Sequence, residues 1–240
     1  MAERGRLVWL DLARTAAIAG MVVFHFFRDL EMFGLASPGM TMQGGWPVFA
    51  RIVAGSFLAL SGVSLWFAAA HGLVMARFWR RLAMIAGAAA LVSVATLIAL
   101  PEAWVIFGIL HMMAAASLIG LIVPRLPALV ALAAAALALY LSRTVFLPAF
   151  DASWLVWTGL GTTVPLSIDY VPVIPWIAPY LAGLGIARLV WPQGPGVAAG
   201  WPAGRFWQAL GWPGRHSLAV YLVHQPVLIA LLWLGLRVFG

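Results

Sequence analysis

Leu7-Val8-Trp9-Leu10-Asp11-Leu12-Ala13-Arg14, continuing through Ile18 and Met21 to Phe24-His25-Phe26-Phe27-Arg28-Asp29, is an apolar run long enough to cross a bilayer, yet it carries ionisable groups along its length. At about 100° per residue, Asp11, Arg14, His25 and Asp29 fall within roughly 60° of one another around a helix. At ~1.5 Å rise per residue, Asp11 and Asp29 lie about 27 Å apart, close to the full hydrocarbon thickness. Charges inside a bilayer are costly and normally face a protein interior or a water-filled path. The spacing therefore predicts a polar stripe from one membrane face to the other.

The rest of the chain agrees with a membrane reading. It is 64% hydrophobic and 9% charged, with a mean hydropathy of +1.02, too few charges to build a solvated surface. Apolar runs of helix-spanning length recur at about 8–30, 46–69, 82–100, 103–123, 127–147, 173–191 and 217–238. They predict an all-α, polytopic transmembrane helix bundle of about seven spans, forming one domain over residues 1–240. Pro175 and Pro179 predict a bent or unwound outer end for the sixth span. Trp154 to Val164 is too short to span and reads as a lying or re-entrant piece. The first run, with Asp11 and Arg14 inside it and no small-residue cleavage site, reads as a span rather than a cleaved signal.

All 14 basic residues are arginine. With the N-terminus in the cytoplasm, the inner side holds nine (Arg4, Arg6, Arg77, Arg80, Arg81, Arg125, Arg188, Arg205, Arg215). The outer side then holds four (Arg28, Arg51, Arg143, Arg237), as the positive-inside rule requires. The net charge of +7 thus follows from topology, with anionic lipid or an anionic ligand as partners. No basic run is interleaved with aromatics, so nucleic-acid binding gains no support. With no cysteine, disulfides, thiolate catalysis and zinc-thiolate sites are excluded, and no metal is expected.

Several residues are candidates for chemistry. His25, a turn inside the outer end of the first span, could act as a general base, with Asp29 four residues on holding its ring. It could equally be an interfacial histidine. Asp11 and Arg14 could pair with each other, or Arg14 could meet an anion that Asp11 orients. Phe78-Trp79-Arg80-Arg81, just after Arg77, suits phosphate, and also suits any cytoplasmic helix end. His111 is a mid-membrane histidine, read either as functional or as a hydrogen bond across a helix pair. Asp169 and Trp176, in Asp169-Tyr-Val-Pro-Val-Ile-Pro175-Trp176, shape either a pocket mouth or an interfacial belt. His224, near Tyr221 and Gln225, points to a polar network in the last span, which Pro226 bends.

Taken in order, these stretches resemble the heparan-α-glucosaminide N-acetyltransferase-like family of integral-membrane acyltransferases, in its bacterial form. The resemblance rests on Leu10-Asp11-Leu-Ala-Arg14 leading to Phe24-His25-Phe and Asp29-Leu30, on Phe57-Leu-Ala-Leu-Ser61-Gly62-Val-Ser64, and on Phe78-Trp-Arg80-Arg81-Leu. Phe107-Gly-Ile-Leu-His111, Asp169 to Trp176 and Gly214-Arg-His216-Ser217 through Tyr221-Leu-Val-His224-Gln225-Pro226 complete it. Each motif alone is weak; the ordered set is specific. The resemblance implies an acetyl group taken from cytoplasmic acetyl-CoA and passed to an acceptor outside. It places the CoA phosphates near Arg80 and Arg81, the thioester along Arg14, and the transfer near His25. The animal lysosomal member has its catalytic histidine in the loop between the first two helices. Here that loop, Gly39 to Trp46, has none. The chemistry then falls to His25 or His111, or uses no protein base.

The expected protein is an acyltransferase of a bacterial inner membrane, moving an acetyl group from acetyl-CoA to an amine or hydroxyl of a sugar or glycan. His25, Asp29 and His111 are its expected catalytic residues, with His111 or Arg51 stabilising the oxyanion. Arg14, Arg80 and Arg81 hold the donor, and Asp11, Arg51, Asp169, Trp176 and His224 the acceptor. A homodimer is preferred for a chain this small. Two rivals are a small proton- or solute-coupled transporter, which also uses buried Asp, Arg and His, and a structural subunit of an envelope-glycan machine.

Overall fold

A computed structural model describes residues 7–70, 72–122, 127–196 and 204–239. Arg4, Arg6, His71 and Arg125 lie outside the described residues. Nine α-helices are described: α1 Val8–Met32, α2 Trp46–Ala70, α3 Met75–Ala99, α4 Ile109–Ile119, α5 Ala128–Thr144, α6 Val173–Val190, α7 Arg205–Leu210, α8 Trp212–Arg215 and α9 Ser217–Phe239. Helix is what a bilayer permits, since each backbone group is then satisfied within its own segment. Five of these (α1, α2, α3, α6, α9) are long and apolar enough to cross a membrane, while α4 and α5 are shorter. The chain is a multi-pass membrane helix bundle.

The fold divides into two compact units, residues 1–57 with 197–240 and residues 58–196, with α2 contributing to both. In the first unit, α7, α8 and α9 line up along α1. The Thr15 hydroxyl donates to the carbonyls of Asp11 (3.0 Å) and Leu210 (3.1 Å) and accepts from the Gly214 N–H (3.0 Å). Further along, His25 meets His224 and Asp29 meets Gln225, so α1 and α9 run parallel. Beyond them, Arg28 pairs with Glu31 (2.9 Å), whose carboxylate also accepts from the Thr41 N–H. Trp46 packs on Phe27 and Phe24.

In the second unit, α2 and α6 cross at backbone contact. A Cβ on Gly62 would stand 2.0 Å from the Tyr180 carbonyl oxygen, and one on Gly183 would stand 2.2 Å from that of Ala59. Small residues at such crossings let helices approach where lipid offers no hydrophobic drive. Leu58, Met112, Ala116, Leu184 and Ala187 are fully buried there. The indole N–H of Trp66 donates to the Trp191 carbonyl (2.9 Å), and Arg188 lies 5.1 Å over the Trp66 ring. As Pro175 and Pro179 predict, α6 is irregular at its start: Ile174 has non-helical angles (φ −99°, ψ 122°) before a cis Pro175.

One expected span needs correction here. The span expected at 103–123 is helical only over Ile109–Ile119, about 16 Å at ~1.5 Å per residue. Phe107 instead bridges Tyr170 as extended chain, and the Val171 N–H donates to the Phe107 carbonyl (2.8 Å). Trp154 to Val164, expected as a lying or re-entrant piece, forms no α-helix. It has a single 3-10 turn, Val156–Thr158, and folds back so that the Leu147 N–H reaches the Leu160 carbonyl (2.9 Å).

Asp151 staples this outer loop. Its carboxylate accepts from the Thr162 and Thr163 N–H groups (2.7 and 2.9 Å) and from both hydroxyls. Those bonds, the Thr162 side chain foremost, hold its pKa below the ordinary aspartate value. A carboxyl depressed in the folded state stabilises above its unfolded pKa and loses that contribution as pH falls through the folded value. Amide exchange across residues 147–163, corrected for intrinsic rates, is expected to lose protection as pH drops below the usual aspartate range. In Asp151→Ala protection is expected to be low at every pH.

Candidate functional site

The stripe on α1 is real but is not an open passage. Asp11 and Asp29 are buried, 8% and 2% exposed, one at each end. Between Thr15 and His25 the same helix buries Ala17, Ile18 and Met21, which close the middle with apolar contact. At the inner end, Arg14 pairs with Asp11 at 3.5 Å, as i,i+3 neighbours do. At the outer end lies a four-residue cluster shared by α1 and α9.

In that cluster His25 is half-buried and makes no hydrogen bond to any described residue. Its ring stands edge-on to His224, centroids 4.9 Å apart. Contact between His224 Nδ1 and the Tyr221 carbonyl (2.6 Å) makes Nδ1 the protonated nitrogen, because a carbonyl can only accept. His224 Nε2 is thus a lone pair, buried and without a partner. Asp29 does not orient His25, as the i,i+4 spacing suggests. Its Oδ1 accepts from the Gln225 side-chain amide at 2.6 Å, and its Oδ2 is buried without a partner, as is Gln225 Oε1. The long-range amide, a donor that neutral His25 offers only in one tautomer, takes the carboxylate.

The second unit places His111 differently. Its Nδ1 accepts from the Gly108 N–H (3.2 Å) at the start of α4, and its Nε2 meets Ser93 Oγ (3.3 Å). Ser93 spends its own proton on the Val105 carbonyl (2.6 Å), so His111 Nε2–H is the donor. Both ring nitrogens are engaged and the tautomer is fixed. Asp169 completes the cap by accepting from the Ile109 N–H (2.9 Å), with its carboxyl packed over Gly108. Burial raises the Asp169 pKa, and the Ile109 N–H opposes that rise. Trp176 lies half-buried near the start of α6, and Arg51 is exposed on α2.

Arg77, Arg80 and Arg81 occupy one face of the first two turns of α3, and no described residue pairs with them by hydrogen bond or ion pair. Arg81 lines a small cavity of about 20 Å³ with Ser61, Leu65, Phe78, Ser117 and Tyr180, room for a water molecule. Exposed guanidinium groups on one helix face fit a phosphorylated ligand; so small a cavity does not hold a long acyl arm. Among the described residues, no group of three or more His, Cys, Asp or Glu is placed to hold a metal ion. Sequence reading missed Ser93, Tyr180 and Thr15. Ser93 and Thr15 were visible as lone hydroxyls in apolar runs, whereas Tyr180 gave no signal because Arg81, beside which it lines the cavity, is 99 positions away.

Neither a curated protein nor a solved structure matches the chain. The family model described as heparan-alpha-glucosaminide N-acetyltransferase, catalytic, matches residues 6–226, covering α1 to α8 and the first part of α9 as far as Pro226. The chain belongs to the heparan-α-glucosaminide N-acetyltransferase family.

Proposed function

We propose that this membrane acetyltransferase takes its acetyl group from acetyl-CoA and transfers it to an amine or hydroxyl of a sugar or glycan on the opposite side of a bacterial inner membrane. The N-terminus is cytoplasmic in this reading, by arginine distribution, and membrane lipids and a second copy of the chain are its surroundings. The observation that carries it is His25: an imidazole near the outer end of α1 with no hydrogen bond to a described residue, edge-on to His224, in a chain of this family. A general base must have a free lone pair within reach of the proton it takes.

His25 accepts the proton of the acceptor's N–H or O–H as that atom attacks the thioester carbonyl. The new N–C or O–C bond forms, the C–S bond breaks, and the thiolate leaves to be protonated as the free thiol. His111, with both nitrogens bonded, serves as a positioning residue that caps α4. Arg80 and Arg81, with Arg77, receive the donor's phosphates, where bidentate contacts are strong. Asp11 holds Arg14 at the inner end of α1, and Asp169 and Trp176 shape the outer start of α4 and α6.

The test is acetyl-CoA binding and free-thiol release by the purified protein in detergent, with and without glucosamine. Arg80→Ala/Arg81→Ala is expected to weaken acetyl-CoA binding by about ten- to hundred-fold, the loss of one to two charge-assisted contacts. Thiol release is expected to depend on the acceptor. A folded protein that binds no acetyl-CoA at millimolar concentration would turn the reading to a transporter.

A further inference from the structure

We propose that the small cavity between α2, α3, α4 and α6 is a halide site, holding one chloride ion between the Arg81 guanidinium and the hydroxyls of Ser61 and Tyr180. The inference lies wholly within the second unit and does not depend on the transfer reaction.

Four polar side chains line this cavity: Ser61 of α2, Arg81 of α3, Ser117 of α4 and Tyr180 of α6. Ser61 and Tyr180 are 6% and 1% exposed, yet neither hydroxyl has a hydrogen bond to any described residue. Buried hydroxyls are nearly always paired, so two unpaired ones on one cavity point to an occupant. Tyr180 also converges with its neighbours. A Cβ on Gly120, one turn on from Ser117, would meet the Tyr180 hydroxyl oxygen, and the Arg81 charge acts on that same group. The Ser117 proton goes to the Met113 carbonyl (2.7 Å), so the donors that face a guest are those of Arg81, Ser61 and Tyr180.

Charge and size identify the occupant. Arg77, Arg80 and Arg81 begin α3 and Arg188 ends α6, whereas the carboxylates of this unit, Glu102, Asp151 and Asp169, follow α3, follow α5 and precede α6. Along α3 alone, Glu102 is about 30 Å from Arg81 at ~1.5 Å per residue. Donors set under positive charge that no carboxylate balances draw an anion rather than a water molecule. At about 20 Å³ the cavity has room for one atom-sized guest. Chloride is little larger than water, carries the one charge that balances one guanidinium, and accepts hydrogen bonds from any direction. Phosphate, sulfate and carboxylates, each with several oxygens, are too large to enter. A guanidinium has five donors, so Arg81 can hold chloride on its inner edge and keep its outer edge for a phosphorylated ligand.

The experiment follows the chloride NMR linewidth of the full chain in detergent, with chloride titrated against gluconate at constant ionic strength. The parent is expected to show saturable broadening that bromide displaces and inorganic phosphate at the same concentration does not. Arg81→Met is expected to abolish the broadening. Tyr180→Phe and Ser61→Ala are each expected to weaken chloride about ten- to hundred-fold, the loss of one charge-assisted hydrogen bond. Arg188→Gln, which removes a nearby charge outside the cavity wall, is expected to keep the site. Melting curves in chloride and in gluconate are the folding check, and chloride should raise the melting temperature of the parent but not of Arg81→Met. Should the larger changes fail to fold, Ser61→Ala, the smallest of them, decides. No saturable broadening in the parent, or broadening that the folded cavity variants retain at parental affinity, would overturn the site. Displacement by phosphate as strong as that by bromide would also overturn it, because the guest would then be a phosphate group at the mouth of the cavity.

Discussion

His25→Ala is expected to lower acetyl transfer by roughly 10²–10⁴-fold, the usual contribution of a positioned general base, with acetyl-CoA affinity unchanged. The ring is half-buried and holds no hydrogen bond to a described residue, so its removal breaks no polar network of the fold. What is lost is the edge contact with His224 and some packing against Phe24. His111→Ala is the control. It orphans the Gly108 N–H, a cost of about 1–3 kcal/mol, and takes one donor from the Ser93 hydroxyl, which keeps its bond to the Val105 carbonyl, without removing a free base. Transfer per folded molecule should therefore survive His111→Ala while thermal stability falls. Single-turnover thiol release, beside a melting curve for each variant, separates the two. Full transfer by His25→Ala, with intact folding, would remove His25 from the chemistry.

The contrast shows which physics the sequence exposes. Spans α1, α2, α6 and α9 were readable to within two residues because length and hydropathy dominate in a bilayer. The third span begins at Met75 rather than near 82, because arginine at a helix end reaches back to water and need not end the helix. The same turn explains why Arg77, Arg80 and Arg81 were legible as one face: i,i+3 and i,i+4 spacing is local geometry. The fourth span was not legible. Hydropathy cannot distinguish helix from the extended stretch before Gly108, whose pairing with Tyr170 and capping by Asp169 come from 60 residues away.

Within the site the division is similar. Tyr221, His224 and Gln225 were recognisable as a local polar network, since the His224–Tyr221 contact is an i,i−3 bond. The partner of Asp29 was misassigned because the four-residue spacing to His25 is visible and the 196-residue separation from Gln225 is not. That difference changes the chemistry. An Asp–His pair describes an oriented base; an Asp–Gln pair leaves His25 without a carboxylate to orient it. Length and composition carried the fold, but only the long-range partners show which polar groups meet.

Gly62→Ala is expected to destabilise the second unit by about 3 kcal/mol, the upper end of the cost of overpacking. The new methyl would sit 2.0 Å from the Tyr180 carbonyl oxygen and 3.0 Å from the Leu184 nitrogen. Both are backbone atoms of a helix, so no side chain can turn aside and α2 and α6 must separate by more than 1 Å to reach ordinary contact near ~3.5 Å. Leu58 and Leu184, fully buried at that crossing, then lose close packing. The displacement also reaches the ligand side. Ser61 and Leu65 on α2 and Tyr180 on α6 line the cavity beside Arg81, so acetyl-CoA affinity is expected to fall together with stability. Gly183→Ala forces the same separation from the other helix, against the Ala59 carbonyl. Because one movement relieves both clashes, the double variant should cost less than the two singles added together, as coupled neighbours do. Unfolding of the four proteins in mild detergent measures this directly. A Gly62→Ala protein as stable as the parent would mean that α2 and α6 do not meet at backbone contact.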